Sequence, residues 1–281
     1  MNFVAYNIGS SFTIDEWKMS EVIQNSSVSA KSWGLLSVVA ILVGVAFVYQ
    51  AALPGDFIYD DLAEINSNYR MGNLTELLST ATAGVKLPAR PLAYASFSLN
   101  VAMFGDKAIG FLIVNVFIHV VACMLLLRLL WLLATSRDGL NPSPTRMFPI
   151  GALVLLWAVH PMNVHAVAYI YQRMESLMAC MFLAASIQIF HYLRQPNWIR
   201  LVLATLFAVF AALSKEVAAV LPLVPFVLSA AINEPTAVRM RRALIVALPL
   251  TLTWIVVAAY LVPQPGCSVV ILLNLMAVSI Y

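Results

Sequence analysis

The stretch WGLLSVVAILVGVAFVYQAAL, Trp33 to Leu53, runs for about twenty residues without a charge. As a helix rising ~1.5 Å per residue, it is long enough to cross the hydrocarbon core of a bilayer. Lipid offers no water to a bare amide, so a spanning segment of this kind must bond its own backbone, as a helix does. The run is too long for a cleaved signal sequence, and no small-residue cleavage site follows it. It is therefore expected to be an uncleaved first span. Residues 1–32 ahead of it are polar, with Lys18 and Lys31 against Asp15, Glu16 and Glu21, and read as a cytoplasmic tail.

Composition extends that reading to the whole chain. Of 281 residues, 62% are hydrophobic and 10% charged, where a soluble domain carries ~25% charged residues. The fold class is all-α, a polytopic membrane protein. Further apolar runs at Ala108–Leu127, Met147–Val159, Ser176–Leu193, Trp198–Leu213, Val217–Ile232 and Ala243–Leu261 bring the expected total to about seven spans. The third, fifth and sixth are short and imply tilt or local thinning of the bilayer. These segments define a transmembrane core over residues 33–262, with a long first outer loop at 54–107. Within that loop Pro91–Phe104 is apolar but short, and reads as an interfacial or re-entrant helix. Asn73–Ser79 opens on a residue competent to cap a short surface helix. After Pro263-Gln-Pro265-Gly266 the chain turns back into Val269–Ile280, so 263–281 reads as an incomplete hydrophobic segment.

Charge asymmetry orients the spans. With the amino terminus cytoplasmic, the inner loops carry Arg128, Arg137 and Arg146, then Arg194 and Arg200, then Arg239, Arg241 and Arg242. Only Asp138 and Glu234 oppose them, which satisfies the positive-inside rule at each inner loop. Counting Pro91–Phe104 as a span would place every arginine loop outside and is disfavoured. The net charge of +3 is too small to imply nucleic acid. Cys123, Cys180 and Cys267 lie in apolar context without metal or redox spacing, and read as small core residues.

This topology gathers the unusual polar motifs on the outer side. They are Phe57-Ile-Tyr-Asp-Asp61, Ala89-Arg-Pro-Leu92, His160-Pro-Met-Asn-Val-His165, Gln172-Arg-Met-Glu-Ser176 and Ser214-Lys-Glu216. Adjacent carboxylates oppose each other's ionisation, so Asp60-Asp61 marks a base, a metal site or a cation pathway unless it is simply a solvated loop. A divalent metal at the pair is possible but not supported, because no third and fourth ligand is evident, and no cofactor is certain. Plainer alternatives exist for the rest. Arg173 and Glu175 can neutralise each other, Lys215-Glu216 can be a solvated turn, and Pro161 can end the span before it. Asn115 and His119, four apart on one helix face, are expected to hydrogen-bond a neighbouring helix.

At FIYDD, RPLAYASFSLN with the following NVFIH, HP-x-x-x-x-A-V, YIYQRMESL and LSKEVAAVLP, the chain resembles the membrane glycosyltransferases of the C superfamily. The likeness is to the transmembrane O-mannosyltransferases with tetratricopeptide repeats and their bacterial relatives. The motifs run in the family's order from residue 57 to 222. Two departures stand out: His165 occupies a position that is an acid in many relatives, and the further spans and repeats of relatives have no counterpart here. The resemblance implies inverting transfer of a sugar from a polyprenyl-phosphate donor to an acceptor outside the cytoplasm, an exported protein being the expected one. It implies Asp60 as the base, with Asp61 close behind. Arg90, Arg173 and Lys215 are candidates for the donor phosphate, and His160, His165, Gln172, Glu175 and Glu216 are further site candidates. A multi-pass protein of the bacterial inner membrane, with a periplasmic site, is the expected setting. The competing readings are a lipid or small-molecule transporter, for which the sequence lacks related halves, and a non-catalytic assembly partner.

Overall fold

The computed structural model describes residues 30–66, 90–136 and 144–261, and among them every regular element is helical. The first span is α1, Ala30–Tyr49, followed by a 3-10 turn at Gln50–Ala52. Ile41, Val45 and Tyr49, four residues apart, form its buried seam, while Leu35, Val39, Leu42, Val43 and Phe47 are exposed. A helix apolar on all sides needs only one face against protein, because lipid accepts the others. Without a hydrophobic drive between helices, close packing has to hold them, and small residues permit it. Gly151 of α4 (Pro144–Ala158) lies directly against Ser37 of α1, and a Cβ on Gly44 would meet Leu155 at 2.8 Å.

The stretch Pro91–Phe104 forms α2, with Pro91 at its first turn and Gly105 at φ 75 closing it. Proline is suited to the first turn because its missing amide would be unpaired there, and glycine to a left-handed end. The 29 residues of α3, Ala108–Ser136, extend beyond the expected Leu127. After α4 come a short α5 (Asn163–Ala168) and a 3-10 turn at Ile170–Gln172. Next is the helical hairpin of α6 (Arg173–Arg194) and α7 (Trp198–Ser214). Asn197 caps α7 by accepting the Ile199 amide at 2.9 Å. Ala204, Ala208 and Ala211 of α7 are buried in the same cluster as Ala185, Ile189 and Phe190 of α6.

The expected span Val217–Ile232 is not one continuous α-helix. A 3-10 stretch, Glu216–Leu223, leads into the short α8, Val224–Ser229. Pro222 and Pro225 lack the amides that an uninterrupted ladder needs. The last described helix is α9, Thr236–Leu261. Among the described residues four helical stretches are long and apolar enough to cross a membrane: Ser32–Ala52, Ala108–Ser136, Ile170–Arg194 and Thr236–Ala259. Met147–Ala158, Trp198–Ser214 and Glu216–Ser229 are shorter apolar helices. The chain is a multi-pass membrane protein. The expectations for the tail before residue 30, for Asn73–Ser79 and for 263–281 lie outside the described residues.

The length of α6 sets the distance between the two polar ends of the molecule. Its 22 residues span about 33 Å at helical rise, close to the hydrocarbon thickness. Arg173 stands at one end of it and Arg194 at the other.

Candidate active site

The Asp60-Asp61 loop is built on a left-handed residue. Tyr59 has φ 46, an uncommon conformation for a side chain with a Cβ, and it is 82% exposed. The next two residues have opposite environments. Asp61 is wholly buried: one carboxylate oxygen accepts the Tyr171 amide at 2.7 Å and the other the Ile58 amide at 3.1 Å. Burial pushes its carboxyl above the usual range, against the opposite pull of those backbone amides. Asp60 is exposed, and its amide donates to the Tyr169 hydroxyl at 3.1 Å. Asp61 therefore pins the loop to the 169–171 connection, and Asp60 stays at the surface beside it.

That connection leads into Arg173, whose guanidinium is fully buried. Its Nε donates to Asn115 Oδ1 at 2.6 Å, Nη1 to the Ser96 carbonyl at 3.2 Å, and Nη2 to Asn100 Oδ1 at 2.8 Å and the Phe111 carbonyl at 3.0 Å. The rings of Phe97 and Phe111 lie 4.8 and 5.4 Å from its Cζ. The expectation for Arg173 was a phosphate contact, or neutralisation by Glu175. The structure places it instead among amide and carbonyl oxygens that tie α2 and α3 to the start of α6. Asn115 also donates to the Val167 carbonyl at 3.1 Å, and His119 Nε2 is 2.9 Å from the Ala158 carbonyl. Both make the inter-helix bonds expected of them.

The other cations are paired across elements. Arg90 makes a forked contact to Glu216, 3.1 Å to one oxygen and 3.2 Å to the other through Nη2, and also contacts Met174 Sδ at 2.7 Å. Lys215 pairs with Glu175 at the start of α6. So Lys215-Glu216 is no free turn: one neighbour reaches α6 and the other the start of α2. All four side chains stay partly accessible, between 16 and 34%.

His165 faces Tyr169 edge to face at 5.5 Å between centroids. It also lines a cavity of about 300 Å³ with His119, Trp157, Asn163, Glu175 and Ser176. His160 is exposed and its Nδ1 accepts the Met162 amide at 3.3 Å, within its own turn. Gln172 is half-buried, with an unpartnered Oε1. Among the described residues no group of three or more His, Cys, Asp or Glu stands close enough to hold a metal. Sequence reasoning missed Tyr169, Tyr171, Ser96 and Asn100. The alternation Tyr-Ile-Tyr before Arg173 was the one available signal for the first two.

The protein O-mannosyl-transferase Tmtc1 of Drosophila melanogaster is 31% identical over 185 residues, 62% of this chain and 20% of that protein. Protein O-mannosyl-transferase F38B6.6 of Caenorhabditis elegans is 29% identical over 158 residues, 52% of the chain and 22% of its own length. This chain resembles the protein O-mannosyl-transferases. Tmtc3 of Drosophila melanogaster, also named a protein O-mannosyl-transferase, is 26% identical over 193 residues, 59% of the chain and 21% of its own. The chain thus spans about a fifth of the length of these O-mannosyl-transferases. No family model and no solved structure matches it.

Proposed function

We propose that this chain carries the catalytic core of a glycosyltransferase that moves a sugar from a polyprenyl-phosphate donor to a protein hydroxyl on the non-cytoplasmic side of the membrane. The observation that carries the reading is the division of labour in the acid pair, a buried Asp61 that fixes the loop and an exposed Asp60 beside it. The names of the relatives support the reaction class. In the proposed step the acceptor oxygen attacks the anomeric carbon from the face opposite the phosphate. The new carbon–oxygen bond forms as the bond from that carbon to the phosphate oxygen breaks, inverting the centre. Asp60 takes the hydroxyl proton, and the phosphate leaves as an anion.

Arg90 and Lys215 are the cations available to that anion. They are balanced at rest by Glu216 and Glu175, and a phosphate can share their remaining donors. Arg173 supports them from behind, by fixing the start of α6 where Met174 and Glu175 meet Arg90 and Lys215. The cavity lies beside both groups: Glu175, which lines it, pairs with Lys215, and His165, which also lines it, meets Tyr169, the acceptor of the Asp60 amide. The core is assigned to 33–262, with 1–32 cytoplasmic and the 54–107 loop outside. Transfer of radiolabelled sugar from a polyprenyl-phosphate donor to a hydroxyl-bearing peptide tests the reading. Asp60→Asn should abolish most transfer while donor binding persists, and full transfer in that variant would overturn the assignment.

A further inference from the structure

The opposite end of α6 carries a second concentration of charge that the proposed reaction does not use. The charges of Arg128 on α3, Arg194 at the end of α6 and Arg200 in the first turn of α7 all bear on the His191 ring. Arg200 is held over the last turns of α6 by a 2.7 Å bond from Nη1 to Gln188 Oε1, a neutral partner. Arg128 and Arg194 are exposed. Glu234 is the one acid at this end among the described residues, and it is taken: Arg242 pairs with it at 2.9 Å and caps the Leu193 carbonyl at 2.6 Å. Three helices thus bring cations together, and no carboxylate among the described residues is left to balance them.

An exposed apolar stripe starts beside these cations. Trp198, Val202 and Leu206 follow one another four residues apart along α7, at 73, 53 and 42% exposure. An exposed tryptophan at the first turn of a membrane helix is characteristic of headgroup depth, where its ring meets both acyl chain and water. A phosphate at the arginines would leave attached acyl chains lying along the stripe.

We propose that Arg128, Arg194 and Arg200, with Trp198 and the α7 stripe below them, form a binding site for an anionic phospholipid at the membrane face opposite the acid pair. Cations supply the attraction to the phosphate and the net negative headgroup. The stripe selects a lipid over a free anion. A zwitterionic lipid carries its own counter-charge and gains less.

Lipid binding to the purified chain in detergent, read by native mass spectrometry, tests this independently of any transfer activity. The probes are phosphatidylglycerol, phosphatidylcholine of the same acyl chains, and inorganic phosphate. Phosphatidylglycerol should bind more than about tenfold tighter than phosphatidylcholine. Arg128→Gln/Arg194→Gln/Arg200→Gln should lose the preference, at roughly fivefold per arginine, while Arg241→Gln, a similar charge loss on α9, changes little. Should the triple variant fail to fold, Arg194→Gln alone should still show its share. The wild-type preference should also shrink in high salt. Equal binding of the two lipids, a preference untouched by the substitutions or by salt, or competition by inorganic phosphate at matched concentration would each overturn the site.

Discussion

Asp61 is the residue whose chemistry is set most completely by its surroundings, since both of its oxygens accept backbone amides and none of its surface is exposed. Burial raises its pKa in the folded chain above that of the unfolded one. The folded state therefore holds the proton more tightly, and this group's contribution to stability falls as pH rises from the ordinary carboxylate range through the raised value. Thermal unfolding followed from about pH 4 to about pH 8 should show that decline, and Asp61→Asn should flatten it. In transfer assays Asp60→Asn should cost about 10²–10⁴-fold, the usual worth of a general base. Asp61→Asn should cost less, through loop position. Full activity with both replaced would reduce the pair to a solvated corner. Arg173→Lys keeps the charge but loses the planar fork, leaving acceptors on Asn115, Asn100 or Phe111 unpaired. A loss of about 1.5–3 kcal/mol of stability is expected for each such bond, read by thermal denaturation. Arg90→Gln should instead lower donor affinity with folding intact, as seen by titration with the lipid-linked donor.

Elements pack here through small residues at close approach. Gly151 on α4 has no room for a Cβ against Ser37, and Gly44 on α1 has little against Leu155. Gly151→Leu should therefore force α1 and α4 apart and destabilise by about 1–3 kcal/mol, the cost of overpacking. Loss of the folded species in size-exclusion chromatography or a lowered melting temperature would report it, and an unchanged melting temperature would mean the helices separate freely. The prolines act at the same scale. Pro222 and Pro225 divide the segment after Lys215 into a 3-10 stretch and a short helix, which keeps Lys215 and Glu216 at a corner from which each reaches a different partner.

For the whole molecule, α6 separates two chemically distinct ends. Asp60, Asp61, Arg90, Glu175, Lys215 and Glu216 gather around its first turn, and Arg128, Arg194, Arg200, Arg239, Arg241 and Arg242 lie toward its last. The proposed topology sets these ends on opposite sides of a membrane, with the arginines inside. A cysteine at Met162, 77% exposed at the acid end, should react with an impermeant maleimide in intact cells. One at Gln195, exposed at the arginine end, should react only after permeabilisation. The reverse pattern would invert the proposed site.

The membrane class, the helical fold and the places of most helices follow from local sequence, because lipid allows an apolar run few options but a self-bonded helix. The bounds of α2 were legible in the extent of the apolar run Pro91–Phe104, and the structure ends it at Gly105. Which polar residues share an end was legible from loop charge alone. Their roles were not. Asp60 and Asp61 are identical side chains one residue apart, and only the amides of Ile58 and Tyr171 make one of them interior. Arg173 and Glu175 look like an ion pair in sequence, yet the helical turn between them sends the arginine inward to Asn115 and Asn100 and leaves the glutamate to Lys215. Such partnerships span dozens of residues, so they are decided by which helices touch, and no local pattern encodes that.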